Sequence, residues 1–321
     1  MKKTAHHTDY QTMMDNEVTQ LWQQREQGYV EGVAGKKLFW VSLTDPQHEK
    51  AIVIMNGRVE TVWKYQEIFY HLFTLGYDIY SFDHRGQGLS DRLTEDQQIG
   101  HVNRFSDYIT DARTLIDSFD LKRYKKRFML AHSMGGAISI RYIQTTPTHN
   151  FDGLLLSAPM LGVHLSPFIK MIAPYWANLI SHCSAVPRYL TKNTTYKAKD
   201  FSTNALTSCP TRYAWFRHLY EQMPQLKLGG PSACWVWQSL TAAKECLKNT
   251  NKITIPILLL QAEKDVVVCN NDQITFISAL MKTNADVVLE TIKESQHEVL
   301  FERDEIRDIA LKKLEQFLNN H

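Results

Sequence analysis

The 321-residue sequence predicts an α/β protein: a mainly parallel sheet flanked by helices, with one helical insertion. Three observations carry this reading. Short runs rich in β-branched and aliphatic residues alternate with segments of helical periodicity. The alternation fails between residues 161 and 250. It then resumes and closes on a long amphipathic helix. A chain of this length can bury one large core that carries a sizeable insertion.

The elements follow in order. Residues 1–25 read as a polar segment. Met1-Lys2-Lys3 opens as a signal peptide can, but His6, His7, Asp9 and Gln11 follow and no apolar stretch succeeds them. Strands are expected at 38–43, 51–55, 77–82, 127–132, 153–157, 255–261 and 287–292. Ile68, Phe69, Leu72, Phe73 and Leu75 give one crossover helix, and Phe105, Tyr108, Ala112, Leu115 and Ile116 the next. Ile306, Ala310, Leu314 and Phe317 share one face of the closing helix. The stretch 161–250 is rich in aromatics (Phe168, Tyr175, Trp176, Tyr189, Trp215, Phe216, Trp235, Trp237) and in helix-breaking prolines. It is expected to cap the C-terminal edge of a core formed by 26–160 and 251–321. Ligands of open α/β sheets bind at that edge.

Composition narrows the class. The hydrophobic share is 44%, the charged share 22% and the formal charge +2, so nothing demands a nucleic-acid partner. Five widely spaced cysteines without C-x-x-C argue against a disulfide framework or a zinc knuckle. No apolar run reaches the roughly 18 residues of a spanning helix. The best, 159–180, is broken by His164, Lys170 and two prolines. The expectation is a cytoplasmic protein that can touch the inner membrane peripherally.

Arg127-Phe128-Met129-Leu130-Ala131-His132-Ser133-Met134-Gly135-Gly136 reads as a strand, a sharp turn and a helix start. A nucleophilic serine needs this arrangement. The turn strains its backbone, so the residues two before and two after must be small. Ala131 takes the place of the first glycine of G-x-S-x-G. Met134 opens a helix whose N-terminal N–H groups can face developing negative charge. Asn56-Gly57-Arg58 follows the strand at 51–55, where such proteins place the second oxyanion donor. The backbone N–H groups of Arg58 and Met134 are therefore the candidate oxyanion hole.

A serine hydroxyl also needs a base. In this template an acid and then a histidine follow on loops after late strands. Of thirteen histidines, His297 combines such a loop with a position beyond a suitable acid. That acid is Asp265, four residues past the apolar strand at 255–261, with Glu263 as the alternative in the same loop. It would hold the imidazole in its productive tautomer.

Taken together these residues resemble the α/β-hydrolase lysophospholipase and monoacylglycerol lipase family, and most of all its bacterial PldB-type lysophospholipases. The resemblance runs from about residue 30 to the end. It is densest in Gly57-Arg58-Val59-Glu60, Asp83-His84-Arg85-Gly86-Gln87-Gly88, Gly100-His101-Val102-Asn103-Arg104-Phe105, Leu130 to Ile138 and Leu258 to Glu263. The acid loop departs from the wider family, which usually has glycine at the place of Ala262.

The resemblance implies hydrolysis of the acyl ester of a lysophospholipid to a fatty acid and a glycerophosphodiester through an acyl-enzyme. Monoacylglycerol hydrolysis and acyl transfer are further chemistries of such a site. No cofactor or metal is required. The alternatives are a small-ester or peptide hydrolase, and a non-catalytic binding protein with the same fold. Dehalogenase and epoxide-hydrolase chemistry is disfavoured, because those proteins carry aspartate where this chain has Ser133.

Three other features are weighed. In the resembling family Asp83-His84-Arg85-Gly86 is a structural turn, and no H-E-x-x-H spacing suggests a metal site. The basic cluster Lys122, Arg123, Lys125, Lys126 and Arg127 precedes the nucleophile's strand, at the sheet edge away from the serine, and reads as a solvated face. Phe168, Ile172, Tyr175 and Leu179, with Ile169, Trp176 and Ile180, repeat at helical spacing. They read as cap packing, or as an acyl channel or interfacial helix. Arg188, Lys192 and the side chain of Arg58 are the candidates for meeting a phosphate.

Overall fold

A computed structural model describes residues 7–163, 175–176, 178–179, 186–190 and 195–321. Its strands are β1 (Glu26–Glu31), β2 (Lys37–Leu43), β3 (Lys50–Met55), β4 (Tyr77–Phe82), β5 (Lys126–His132), β6 (Gly153–Ser157), β7 (Ile257–Ala262) and β8 (Val287–Ile292). They form one sheet in the order β1-β2-β4-β3-β5-β6-β7-β8. β1, β2 and β4 pair antiparallel; from β4 onward every neighbour is parallel.

The central strands are buried on both faces, which is why β6 (GLLLS) and β7 (ILLLQA) read as apolar runs rather than as alternations. The seven expected strands are present. The one expected at 255–261 begins at Ile257, because Pro256 has no N–H for the ladder and contributes only its carbonyl, to Leu154 N–H at 3.0 Å. Strand β1 was not expected. Its EQGYVE sequence is largely solvated, and it is held by pairing with β2 rather than by burial.

The helices are α1 (His7–Met13), continued by a π-helical turn at Met14–Val18 into α2 (Thr19–Gln23), then α3 (Gln66–Thr74), α4 (Phe105–Ser118), α5 (Met134–Thr145), α6 (Pro210–Gln222), α7 (Ala233–Lys248), α8 (Asn270–Leu280) and α9 (Asp304–Asn320). The N-terminal stretch is thus more than a polar segment. Tyr10, Met14, Val18 and Trp22 recur every fourth residue and are buried, with Trp22 edge-on to Trp63 at 5.2 Å. In α9 the expected face, Ile306, Ala310, Leu314 and Phe317, is buried.

Between β6 and β7 the chain leaves the sheet and carries α6 and α7. These two helices differ in their packing. α7 lies on α4 and α5, buries Trp235, Ala242 and Cys246 in the main core, and accepts a 2.8 Å hydrogen bond at Cys246 O from Gln144. α6 forms a separate apolar cluster of Phe216, Leu219, Tyr220 and Leu226, packed on Val59, Trp63 and Leu89. It therefore sits over the loop that follows β3. Phe168, Ile169, Ile172 and Ile180 lie outside the described residues; Tyr175, Trp176 and Leu179 are exposed. No helix among the described residues is long and apolar enough to cross a membrane.

Candidate active site

Strand β5 ends at His132, and the chain turns at Ser133 with φ +50° and ψ −115° before entering α5. A non-glycine residue in that region costs about 1–3 kcal/mol and persists only where its surroundings fix it. Ser133 N–H donates to Ser157 O at 3.1 Å, and Ser133 O accepts from Gly136 N–H at 3.0 Å and Met160 N–H at 2.9 Å. The small neighbours have a steric reason. A Cβ on Gly135 would lie 2.3 Å from Met55 O and 2.6 Å from Asn56 O, so only glycine lets α5 approach the end of β3. Ala131 is fully buried inside β5, where its methyl is accommodated.

Ser133 Oγ lies 3.0 Å from His297 Nε2, and His297 Nδ1 lies 2.7 Å from Asp265 Oδ2. The other oxygen, Asp265 Oδ1, accepts from the N–H groups of Val267 at 2.8 Å and Val268 at 2.9 Å. All three side chains are buried. Burial alone would raise the Asp265 carboxyl; the hydrogen bond and charge of His297, with the two backbone donors, outweigh it and hold the carboxyl below the usual range. Glu263 is exposed and accepts from Glu294 N–H at 2.8 Å, away from the imidazole. The structure thus brings Asp265, and not Glu263, to His297.

The loop after β3 presses on the serine. A Cβ on Gly57 would stand 2.9 Å from Glu60 Oε2, 3.1 Å from His132 Cδ2 and 3.2 Å from Ser133 Cβ, so the three together favour glycine. The backbone N–H groups of Arg58 and Met134 donate to no described residue. The Met134 group belongs to the unpaired first turn of α5. The turn Asp83-His84-Arg85-Gly86-Gln87-Gly88 shapes this loop from beneath. The Asp83 carboxylate accepts from Val62 N–H and Leu89 N–H, both at 2.8 Å, and from Thr61 Oγ1 at 3.0 Å; burial pushes it up to about 6. Gln87 Nε2 donates to Gly57 O at 2.8 Å and Glu60 O at 3.0 Å. Arg85 is engaged with Asp111, 2.6 Å from Nη2 to Oδ1. Among the described residues no grouping of His, Cys, Asp and Glu could hold a metal ion.

Sequence reasoning missed a buried ionic cluster behind the triad. Lys64 Nζ bridges Glu60 Oε1 at 2.8 Å and Glu298 Oε1 at 2.5 Å. Glu60 Oε2 in turn accepts from Gly57 N–H at 2.5 Å and Tyr65 OH at 2.7 Å. Burial would depress the Lys64 ammonium, but Glu298 and Glu60 raise it. One lysine therefore ties the serine-facing loop to the residue beside His297. A removed partner would leave a buried charge unpaired, which is the costly case. The only sequence signal was the adjacency of Glu298 to His297, since burial of charged residues leaves no periodic trace.

Two further histidines make acid stability testable. Burial lowers both His84 and His132 to about 4, so each is neutral when folded but charges near pH 6.5 when unfolded. Through these two groups the unfolded chain binds more protons between those values, so they lower stability as pH drops from about 6.5 towards 4, while the raised Asp83 carboxyl takes up its proton first in the folded chain and opposes them in part. Each group contributes at most about 3 kcal/mol to that loss. Urea unfolding at pH 7 and pH 5 is expected to show lower stability at pH 5, with a shallower difference in His84→Gln. A pH difference in His84→Gln equal to that of wild type would refute the assignment of His84.

The expected basic cluster lies where β5 begins, at the far end from Ser133. It is largely solvated and locally paired, as in Lys125 with Glu49 at 2.6 Å. Arg188 is exposed, and Lys192 lies outside the described residues.

With this geometry in view, comparison with known proteins finds a match to the serine aminopeptidase, S33, family model over residues 46–304. The lysophospholipase L2 of Escherichia coli (strain K12) is 36% identical over 314 residues, covering 95% of this chain and 90% of that protein. The probable lysophospholipase L2 of Haemophilus influenzae is 34% identical over 294 residues, 91% of each chain. Among solved structures, a soluble variant of the monoglyceride lipase of Saccharomyces cerevisiae superposes with a TM-score of 0.70 at 20% identity, over 92% of this chain and 96% of that one. That last likeness shows the α/β-hydrolase fold.

Proposed function

This chain belongs to the serine aminopeptidase, S33, family of α/β-hydrolases, among the lysophospholipase L2 proteins, and from that premise we propose that it is a serine hydrolase of lipid esters that cleaves the acyl ester of lysophospholipids. The observation that carries the proposal is the buried chain Ser133–His297–Asp265, with links of 3.0 Å and 2.7 Å, mounted on a strained turn. Full-length similarity to two lysophospholipases supports the substrate class.

In the mechanism His297 Nε2 accepts the Ser133 proton as Oγ attacks the acyl carbonyl. The tetrahedral oxyanion is held by the N–H groups of Arg58 and Met134. His297 then protonates the leaving glycerol oxygen, and the glycerophosphodiester departs. A water, deprotonated by the same imidazole, attacks the acyl-enzyme and releases the fatty acid. Asp265 keeps the imidazole in register and stabilises its charged form. Helix α6 of the insertion between β6 and β7, packed on Val59 and Trp63, caps the site. The proposed substrate resides in membranes, so the enzyme is expected to meet a membrane at its surface.

The test pairs a fluorophosphonate probe with fatty-acid release. The probe is expected to label the peptide carrying Ser133, and purified protein to release fatty acid from lysophosphatidylcholine, with a monoacylglycerol of the same chain and an amino-acid arylamide as comparisons. Labelling elsewhere would remove the nucleophile. Preference for the arylamide would remove the lipid.

A further inference from the structure

Arg58 has two parts with different surroundings. Its backbone N–H lies on the loop that presses on Ser133. Its side chain crosses to the start of α7, where one Nη donates to Gly229 O at 2.6 Å and the guanidinium lies 5.1 Å from the centre of the Trp235 ring. Gly100 flanks the other side, where a Cβ would stand 2.5 Å from the same nitrogen.

Among the described residues the Arg58 guanidinium has no counter-ion. Arg85 faces Asp111, Arg212 faces Glu67 and Asp304, and Arg307 faces Glu67. Among the described residues Arg58 pairs with no carboxylate; its Nε is buried and has no hydrogen-bond partner. Burial lowers the group to about 10, so it stays charged at neutral pH. A largely buried cation with no carboxylate beside it is costly, and the cost is relieved when a ligand brings the anion. A guanidinium held by stacking and one carbonyl still offers donors in the fork geometry that matches phosphate oxygens. The residue itself remains partly exposed.

We propose that the Arg58 side chain is the specificity determinant that receives the phosphate of a lysophospholipid while the N–H of the same residue receives the acyl oxyanion. Glycerol links those two groups in the substrate, and one residue links their receptors in the protein. Of the basic residues suggested by the sequence, Arg58 is the one on the loop that presses on Ser133. The inference rests on the lysophospholipid reading above.

The experiment measures kcat/KM of wild type, Arg58→Met and Arg58→Lys on lysophosphatidylcholine and on a monoacylglycerol of the same acyl chain. Substitution on the oxyanion loop will disturb both reactions, so the ratio of the two is the readout. The ratio is expected to fall by about 10- to 100-fold in Arg58→Met, the worth of a charge-assisted hydrogen bond, and by less in Arg58→Lys. A ratio within about twofold of wild type in Arg58→Met would overturn the assignment. If that variant fails to fold, wild type decides: inhibition by glycerophosphocholine but not by glycerol is expected, and no inhibition by either counts against Arg58. A wild type that cleaves monoacylglycerol but no lysophospholipid defeats the substrate reading itself, an outcome distinct from an unchanged ratio in an active lysophospholipase.

Discussion

Ser133→Ala is expected to lower kcat on a lipid ester by about 10⁵- to 10⁶-fold while leaving the protein folded. The size follows from what the hydroxyl does in the proposed mechanism. Without Oγ no acyl-enzyme forms, so what remains is direct attack by water, aided by the oxyanion donors and by binding. The stability expectation follows from the backbone. Ser133 sits at φ +50° and ψ −115°, and its main-chain bonds to Ser157, Gly136 and Met160 are untouched by removing Oγ. Among the described residues the hydroxyl's side-chain link is to His297 at 3.0 Å. Losing that neutral link should change stability by no more than about 1 kcal/mol. Single-turnover fatty-acid release and a thermal melt together check this. A fall of less than about 100-fold in a folded variant would mean that another group attacks the ester.

The parts legible in the sequence were those with a local physical signature. Buried parallel strands such as Leu154 to Ser157 need apolar side chains on both faces, so they appear as runs. The elbow needs small residues at fixed offsets from the serine, which is a local signature, although the atom that Gly135 makes room for, Met55 O, belongs to another strand, β3. Asp265 and His297 were reachable because each follows a strand that could itself be read. The unread parts depend on tertiary partners. β1 is a strand because Glu26 to Glu31 pair with β2, although its own residues lack a buried face. The helix from His7 to Gln23 shows its stripe only at Tyr10, Met14, Val18 and Trp22, diluted by glutamines and acids. Lys64 is buried between Glu60 and Glu298, which lie on opposite sides of the insertion in sequence. Nothing local distinguishes such a lysine from a solvated one.

Asp265→Asn is expected to lower kcat by about 10⁴-fold with little change in KM, and Glu263→Gln by no more than about threefold. The argument turns on which atom of the asparagine faces the imidazole. Asp265 Oδ1 accepts from Val267 N–H at 2.8 Å and Val268 N–H at 2.9 Å, so that place demands an acceptor. The amide oxygen must occupy it, which leaves the NH₂ group facing His297 Nδ1, where Oδ2 stands at 2.7 Å in the parent. An NH₂ there donates, so Nδ1 must become the acceptor and the ring proton moves to Nε2. That nitrogen then points an N–H at Ser133 Oγ and cannot take its proton. The fold is retained because every main-chain bond of the loop survives, yet the base is held in the wrong tautomer. The carboxyl of the parent is held below its usual range, so its charge persists as the pH falls; its stabilising contribution is present above the unfolded carboxylate value and lost only as pH falls through the lowered folded one. Glu263 offers a sharp contrast. It is exposed, its Oε2 accepts from Glu294 N–H at 2.8 Å, and a glutamine keeps an acceptor for that bond. Steady-state kinetics on both variants, with circular dichroism to confirm folding, separates them. A larger loss in Glu263→Gln than in Asp265→Asn would require the loop after β7 to rearrange during turnover and bring the glutamate to the imidazole.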